Sequence, residues 1–313
     1  AVLMQLETDR YYRYLTWVSV PLHFIALVAC TVYAGTQALS WWALILLAVS
    51  TGLISGLAIN TAHELGHKNS RVEKWLARLA LAVPAYGHFT GEHNRGHHIA
   101  VSTPEDCASS RMGESIYRFA MREIPGAFRR GWRLERERLE NRKLPLWHYS
   151  NPILQSYAVS GVIIVMLLAW AGWIAIPFLL LHNLAAYWQL TSANYIEHYG
   201  LLREKLPNGR YERCQPHHSW NANHIASNLV TFHLERHSDH HAFAARRYQS
   251  LRHFENVPQL PSGYFGMFLL SYLPPLWRRV MDPKVLELVD GDMERVNTGP
   301  VYYPPQISGE SPA

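Results

Sequence analysis

Half of the eighteen histidines fall into four tight clusters: His63-Glu64-Leu65-Gly66-His67, Glu92-His93-Asn94-Arg95-Gly96-His97-His98, Asn194-Tyr195-Ile196-Glu197-His198 and Arg236-His237-Ser238-Asp239-His240-His241. The pairs His63/His67, His93/His97 and His237/His241 are four residues apart, which on a helix puts both rings on one face and suits two imidazoles binding one metal. Nine candidate ligands result: His63, His67, His93, His97, His98, His198, His237, His240 and His241. One ion takes at most about six ligands, so the set calls for two ions with four or five nitrogens each. Every cluster also carries a carboxylate beside a histidine, namely Glu64, Glu92, Glu197 and Asp239. Such groups are expected to accept a hydrogen bond from the far ring nitrogen of a ligand and fix its tautomer; direct ligation or bridging is the alternative. Imidazole alone does not choose iron over zinc. Among the other histidines, His23 and His182 read as rings satisfied by a neighbouring helix, and His88, His148, His217, His218 and His253 as loop or interface residues. His224 and His233 stay open as further ligands.

The elements that must position these clusters are apolar helices. Across the 313 residues, Tyr14–Ala62 and Asn151–Ile196 contain no Asp, Glu, Lys or Arg. Each stretch is about twice the roughly 20 residues needed to cross a bilayer, so each reads as a helical hairpin: spans of about 14–35 and 41–62, then 153–170 and 173–195. The fold class is an all-α integral membrane bundle, with one domain over 1–292, His-bearing regions at 63–150 and 196–292, and a tail at 293–313. The connector between the hairpins is rich in Arg and Lys while both turns are uncharged, which places the connector in the cytoplasm. All four clusters then share one membrane face, as a single centre requires. The net charge of +5 follows from the same bias and does not indicate nucleic-acid binding. Cys30, Cys107 and Cys214 show no paired spacing, which argues against disulfides, Cys-ligated zinc and iron–sulfur clusters. Ser115–Leu144 reads as an amphipathic helix pair broken at Pro125, with Tyr117, Phe119, Phe128 and Trp132 toward lipid headgroups. Tyr264–Leu276 is apolar but too short to span. On the second span, Gly52, Ser55 and Gly56 continue through Ile59 and Asn60 to His63, a face with room for a narrow channel leading to the metals; close helix packing is the competing use of such small residues.

The strings HELGHK (63–68), EHNRGHHIAVSTPEDCASSR (92–111), NYIEHYG (194–200) and LERHSDHHAFAARRYQSL (234–251) resemble the alkane 1-monooxygenases of the membrane-bound, histidine-rich di-iron superfamily of fatty-acid desaturases and hydroxylases. The resemblance runs from about Glu7 to Asp290, and the cluster with His198 separates alkane hydroxylases from ordinary desaturases. It implies two non-haem irons held by the nine histidines, with Asn194 and Asp106 joining the four carboxylates around them. It further implies O2-dependent hydroxylation of the terminal methyl of n-alkanes in a bacterial inner membrane, with the active site on the cytoplasmic side. With no dinucleotide, flavin or four-cysteine motif in the chain, electrons must come from outside, and the resemblance names rubredoxin, separate or fused, with its reductase. Arg129, Arg130, Arg133 and Arg136 form a candidate docking patch, equally explained by membrane-surface binding. The family usually has six spans where four are visible here, an N-terminal hairpin being the missing part. Desaturation, or oxygenation of aromatic methyls or carotenoids, is the alternative within the superfamily. Outside it, His63–His67 also fits the HExxH zinc-protease motif, which leaves the other clusters without purpose. A His-rich metal transporter would place its ligands within the membrane depth rather than at one face.

Overall fold

The computed structural model describes residues 2–298, and the fold within them is helical. Three apolar stretches are long enough to cross a membrane: Arg10–Thr36, Trp41–Gly66 and Pro152–Glu197. The last divides at Gly172 into helices Pro152–Ala171 and Ala175–Glu197, so four spans form two hairpins. Local chemistry sets their ends. The side chains of Asp9, Ser40 and Asn151 accept hydrogen bonds from the first-turn amides of the first, second and third spans, satisfying donors that a helix start leaves orphaned. Pro152 occupies the first turn of the third span, where its missing N–H costs nothing. Gly172, at φ +66°, ends that span in a conformation that disfavours any Cβ.

Both turns lie at one end of the bundle. A Cβ on Gly35 would fall 2.5 Å from the Cα of Ala171, and the rings of Trp41 and Trp173 are 6.4 Å apart. The second and fourth spans form the central pair. At Gly52 their backbones approach so closely that a Cβ would sit 2.3 Å from the carbonyl oxygen of His182. One turn on, His182 Nε2 and Ser55 Oγ are 2.7 Å apart in a buried hydrogen bond. His182 is thus satisfied by a neighbouring helix, as its mid-span place implies. Gly52 and Ser55 are not channel residues: packing took the small residues that the sequence reading assigned to a conduit. At the site end the second and fourth spans run on to Gly66 and Glu197, four and two residues past the expected limits, which keeps His63 on a helix.

The connector helix Ile116–Glu140 runs unbroken through Pro125. A proline inside a helix costs about 3 kcal/mol, but Phe119, Glu123, Ala127, Gly131, Glu135 and Leu139 form an every-fourth row that is buried. Burying Phe119 and Leu139 alone returns ~3–6 kcal/mol, so packing outweighs the break. Phe119 faces inward rather than toward headgroups; Tyr117 and Phe128 stay exposed. The short helix Tyr264–Ser271 and the helix Pro274–Leu288, which starts at the Pro-Pro pair, do not span. Val296 and Asn297 are buried, and Asn297 bonds through its backbone to Gly200 and Met112. The folded unit therefore extends past 292 to Thr298; the rest of the expected tail, 299–313, lies outside the described residues.

Candidate metal centre

At the site end, four elements deliver nine imidazoles. His63 sits in the last turn of the second span and His67 caps it. His93–His97 form a π turn followed by His98–Ala100, His198 caps the fourth span, and His237–Ala242 is a helix of its own. Their nitrogens gather into two groups, His63, His67, His93, His98 and His240 in one and His97, His198, His237 and His241 in the other, with all ligand atoms of a group within 4.8 Å of one another. The i,i+4 pairs His63/His67 and His237/His241 each share a group. His93/His97 does not, because the wider π turn aligns residues five apart and brings His93 and His98 together, with Nε2 atoms 3.0 Å apart. His97 is thereby released to the second group.

The contacts within each group are those of metal ligands. His63 and His240 approach through Nε2 at 2.9 Å, His240 and His98 at 3.2 Å, His237 and His198 at 3.2 Å, and His241 and His237 at 2.9 Å. Two nitrogens each ~2.1 Å from one ion at right angles lie ~3.0 Å apart. Nε2 of His67 and of His97 is buried with no hydrogen-bond partner, a costly state that an ion relieves. Burial holds His67, His93, His237, His240 and His241 well below their ordinary pKa, and pulls His198 to about 3 and His98 to about 2. Their rings are therefore neutral, with lone pairs free for a cation. The residues fit two metal ions, with five and four nitrogens.

The four carboxylates beside histidines depart from the sequence reading, whereas Asp106 takes the expected place, at 2.9 Å from His97 Nδ1. Burial pulls His97 down, but that carboxylate outweighs it and raises the ring above its ordinary pKa. Glu64 instead pairs with Lys68 at 3.0 Å, Glu92 with Arg130, and Asp239 with Arg246 and Arg252. Glu197 faces the inner side, its Oε2 3.3 Å from His237 Nε2 and its Oε1 without a hydrogen-bond partner. Asn194 donates to Glu123 at 3.1 Å. The reason is helical geometry: consecutive residues diverge around a helix, so a carboxylate next to a ligand points away from that ligand's ring. His198 Nδ1 lies 3.2 Å from the carbonyl oxygen of His218, a backbone partner with no signature in sequence. His218 itself belongs to neither group. Its Nδ1 accepts from Gln215 N at 2.9 Å, so Nε2 carries the proton and faces Glu212 at 3.3 Å. His224 is exposed, and His233 packs on Tyr248 with ring centroids 5.6 Å apart; both stand outside the two groups.

A cavity of about 40 Å³ is lined by His63 and His93 of the first group, by His237 of the second, and by Glu197, Gly56, Ile59 and Asn60. A second, apolar groove of about 840 Å³ runs along the second and fourth spans beside the helix Tyr264–Ser271. Leu57, Gln189 and Phe268 border both spaces. Gly56, Ile59 and Asn60, three of the five expected channel residues, line the smaller cavity; the side chains that border both spaces went unread because apolar residues on a membrane helix carry no individual signal.

Glu123 was also missed. It is buried on the connector helix, where it accepts hydrogen bonds from Thr191 Oγ1 at 2.8 Å and Asn194 Nδ2 at 3.1 Å. Burial raises its pKa from an ordinary 4.5 to about 7, against those two donors. A raised carboxyl contributes stability that is full below its unfolded pKa and lost as pH rises through its folded one. Glu123→Gln should therefore flatten the fall in thermal midpoint between pH 4.5 and pH 7. Unchanged curvature in the variant would mean that Glu123 is ionised throughout.

Comparisons with known proteins place this architecture. A match to the fatty acid desaturase family covers residues 39–271, all nine histidines among them. The chain is 54% identical to the alkane 1-monooxygenase of Pseudomonas putida over 94% of its own length and 73% of the relative's. It is 52% identical to alkane 1-monooxygenase 1 of Alcanivorax borkumensis over 96% and 74%. The hydroxylase component of xylene/toluene monooxygenase from Pseudomonas putida is more distant, at 28% over 73% and 61%. The chain belongs to the fatty acid desaturase family, in its alkane 1-monooxygenase branch.

Proposed function

We propose that the chain hydroxylates the terminal methyl of medium- and long-chain n-alkanes to primary alcohols, with O2 as oxidant, two irons in the two imidazole groups and rubredoxin as electron donor. The observation that carries this reading is the 40 Å³ cavity bounded by both groups. It is about a quarter of the ~150 Å³ space that takes a benzene ring, so it accepts the end of a chain and excludes a bend or an aromatic ring. Iron bound there supplies reductive activation of O2, placing one atom in the substrate and releasing the other as water. The chain's own residues do the positioning. Asp106 holds His97, and the carbonyl of His218 holds His198, each through Nδ1, which turns Nε2 inward. The 840 Å³ groove takes the body of the alkane among Leu53, Leu184, Phe265 and Leu269. Terminal C–H bonds are the stronger ones, so selectivity comes from presenting only the methyl between the two groups.

The arginine-rich connector supports a cytoplasmic position for this face by the positive-inside rule, in what the proposal takes to be a bacterial inner membrane. Arg129, Arg133 and Arg136 are exposed there and suit an acidic donor, whereas Arg130 turns inward to Glu92 and Asp106 and leaves the expected docking patch. Purified protein incubated with iron, octane, 18O2, rubredoxin and reductase should yield 1-octanol carrying one labelled atom. Octene as the main product, or full activity with zinc in place of iron, would overturn the reading.

A further inference from the structure

A line of aromatic rings leads away from the metal centre, starting at Phe89, and none of its rings borders the apolar groove. Phe89 stacks on His93 at 4.9 Å, and Tyr86 follows at 6.3 Å from Phe89. The ring of His88 is 4.2 Å from Tyr86, and its Nδ1 is 2.9 Å from the hydroxyl of Tyr157. Tyr157 lies parallel to Trp132 at 6.5 Å, and Trp132 is 6.2 Å from Trp147. The line begins at a buried ligand and ends on an indole that is 74% exposed.

We propose that this line is an outlet for oxidising equivalents, with Tyr157 and Trp132 as relay and Trp147 as surface terminus, used when O2 has been activated and no alkane is in the cavity. The proposal rests on the oxygen-activating function proposed above. Phenols and indoles give up electrons to strong oxidants but do not accept them from biological donors, so the line passes holes outward and cannot serve for electron delivery. The His88–Tyr157 pair supplies what a tyrosine relay needs. Burial keeps the His88 ring neutral, so Nδ1, 2.9 Å from the hydroxyl, has a lone pair for the proton of the oxidised phenol, which is a far stronger acid than the resting one. As one electron leaves Tyr157 toward the centre, its O–H bond breaks and an N–H bond forms on His88. Trp132 then returns an electron to Tyr157, the proton goes back from His88, and Trp147 refills Trp132. A soluble thiol refills Trp147 at the surface. Two such passages consume two thiols, which couple to one disulfide and release two protons; the two electrons and two protons taken up at the centre turn the remaining oxygen atom into water, so O2 leaves wholly as water. Aromatic anchoring at the bilayer edge accounts for Trp147 but not for Tyr86, 2% exposed, nor for Trp132, whose Nε1 is buried without a hydrogen-bond partner.

The test runs the iron-loaded enzyme with O2, rubredoxin and reductase in the absence of alkane. Freeze-quenched samples are read by electron paramagnetic resonance, and oxidised residues are mapped by mass spectrometry. Wild type should show a tyrosyl or tryptophanyl radical, with added oxygen concentrated on Trp147. Tyr157→Phe keeps the ring but removes the proton; it should lose most of that radical and shift oxidation to Tyr86, Phe89 and His93. Its inactivation without alkane should quicken several-fold while its kcat at saturating octane stays unchanged. Trp147→Phe, at an exposed position that cannot disturb the fold, should leave the radical on Trp132. The same oxidation map and inactivation rate in wild type, Tyr157→Phe and Trp132→Phe would overturn the outlet. So would the absence of any aromatic radical in a wild-type preparation that makes octanol. A wild type that makes no octanol would instead defeat the functional reading, and the outlet with it.

Discussion

His240→Ala should roughly halve the iron bound per chain and lower octanol formation by on the order of 100-fold or more, since even residues that only orient ligands cost ~10–100-fold when lost. His240 is the histidine that ties the five-nitrogen group together. Its Nε2 lies 2.9 Å from that of His63 and 3.2 Å from that of His98, and its ring is 4.8 Å from that of His67. His240 comes from the helix His237–Ala242, whereas the other four ligands of its group come from the second span and the turn after Phe89. Its loss therefore removes the cross-link between elements as well as one donor. The second group, built on His97, His198, His237 and His241, keeps its ligands. Iron analysis separates the outcomes: about one iron with negligible turnover is expected. Two irons at full occupancy with ordinary turnover would show that His240 is not a ligand.

That the nine histidines gather in one place was legible because metal chemistry dictates both residue type and spacing, and the four strings were expected on one membrane face. How the nine divide was not legible. The π turn at His93–His97 is a backbone feature, and it converts an apparent His93/His97 pair into His93/His98 while sending His97 across. The four carboxylates beside histidines were misread for a related reason: adjacency in sequence is divergence on a helix. Glu92 lies beside His93 yet binds Arg130, and Asp106, nine residues from His97, supplies the hydrogen bond. The hairpins were legible from charge alone, but burial among charged residues was not. Glu135 is fully buried between Arg95 and Arg138, and Arg130 joins Glu92 to Asp106, although the sequence reads the stretch that carries Arg130, Glu135 and Arg138 as amphipathic and turned toward lipid headgroups. A helical wheel shows which residues share a face; it does not show whether lipid, protein or water meets that face.

The second span carries a sharper test, because two glycines one turn apart do different work. At Gly52 the obstacle to a side chain is backbone, the His182 carbonyl 2.3 Å from a would-be Cβ, and it cannot move without parting the central helix pair. Gly52→Leu should therefore cost more than the ~1–3 kcal/mol typical of overpacking and leave little folded protein. At Gly56 the obstacle is the side chain of Gln189, 2.5 Å away at Oε1 and 2.9 Å at Cβ; the amide can swing aside, and the Cβ contact asks for a small shift of the helix rather than a parting of the pair. Gly56→Leu should fold and bind iron, with its isobutyl group in the junction that Leu57 and Gln189 form between the groove and the 40 Å³ cavity. A short alkane has to pass that junction only once. A long one must lie across it with its methyl at the metals and its body in the groove. Yields from a ladder of alkanes, normalised to iron, should then fall steeply with chain length in Gly56→Leu while the shortest substrates keep most of their turnover. A uniform loss across the ladder at full iron content would mean that the alkane reaches the centre by another route.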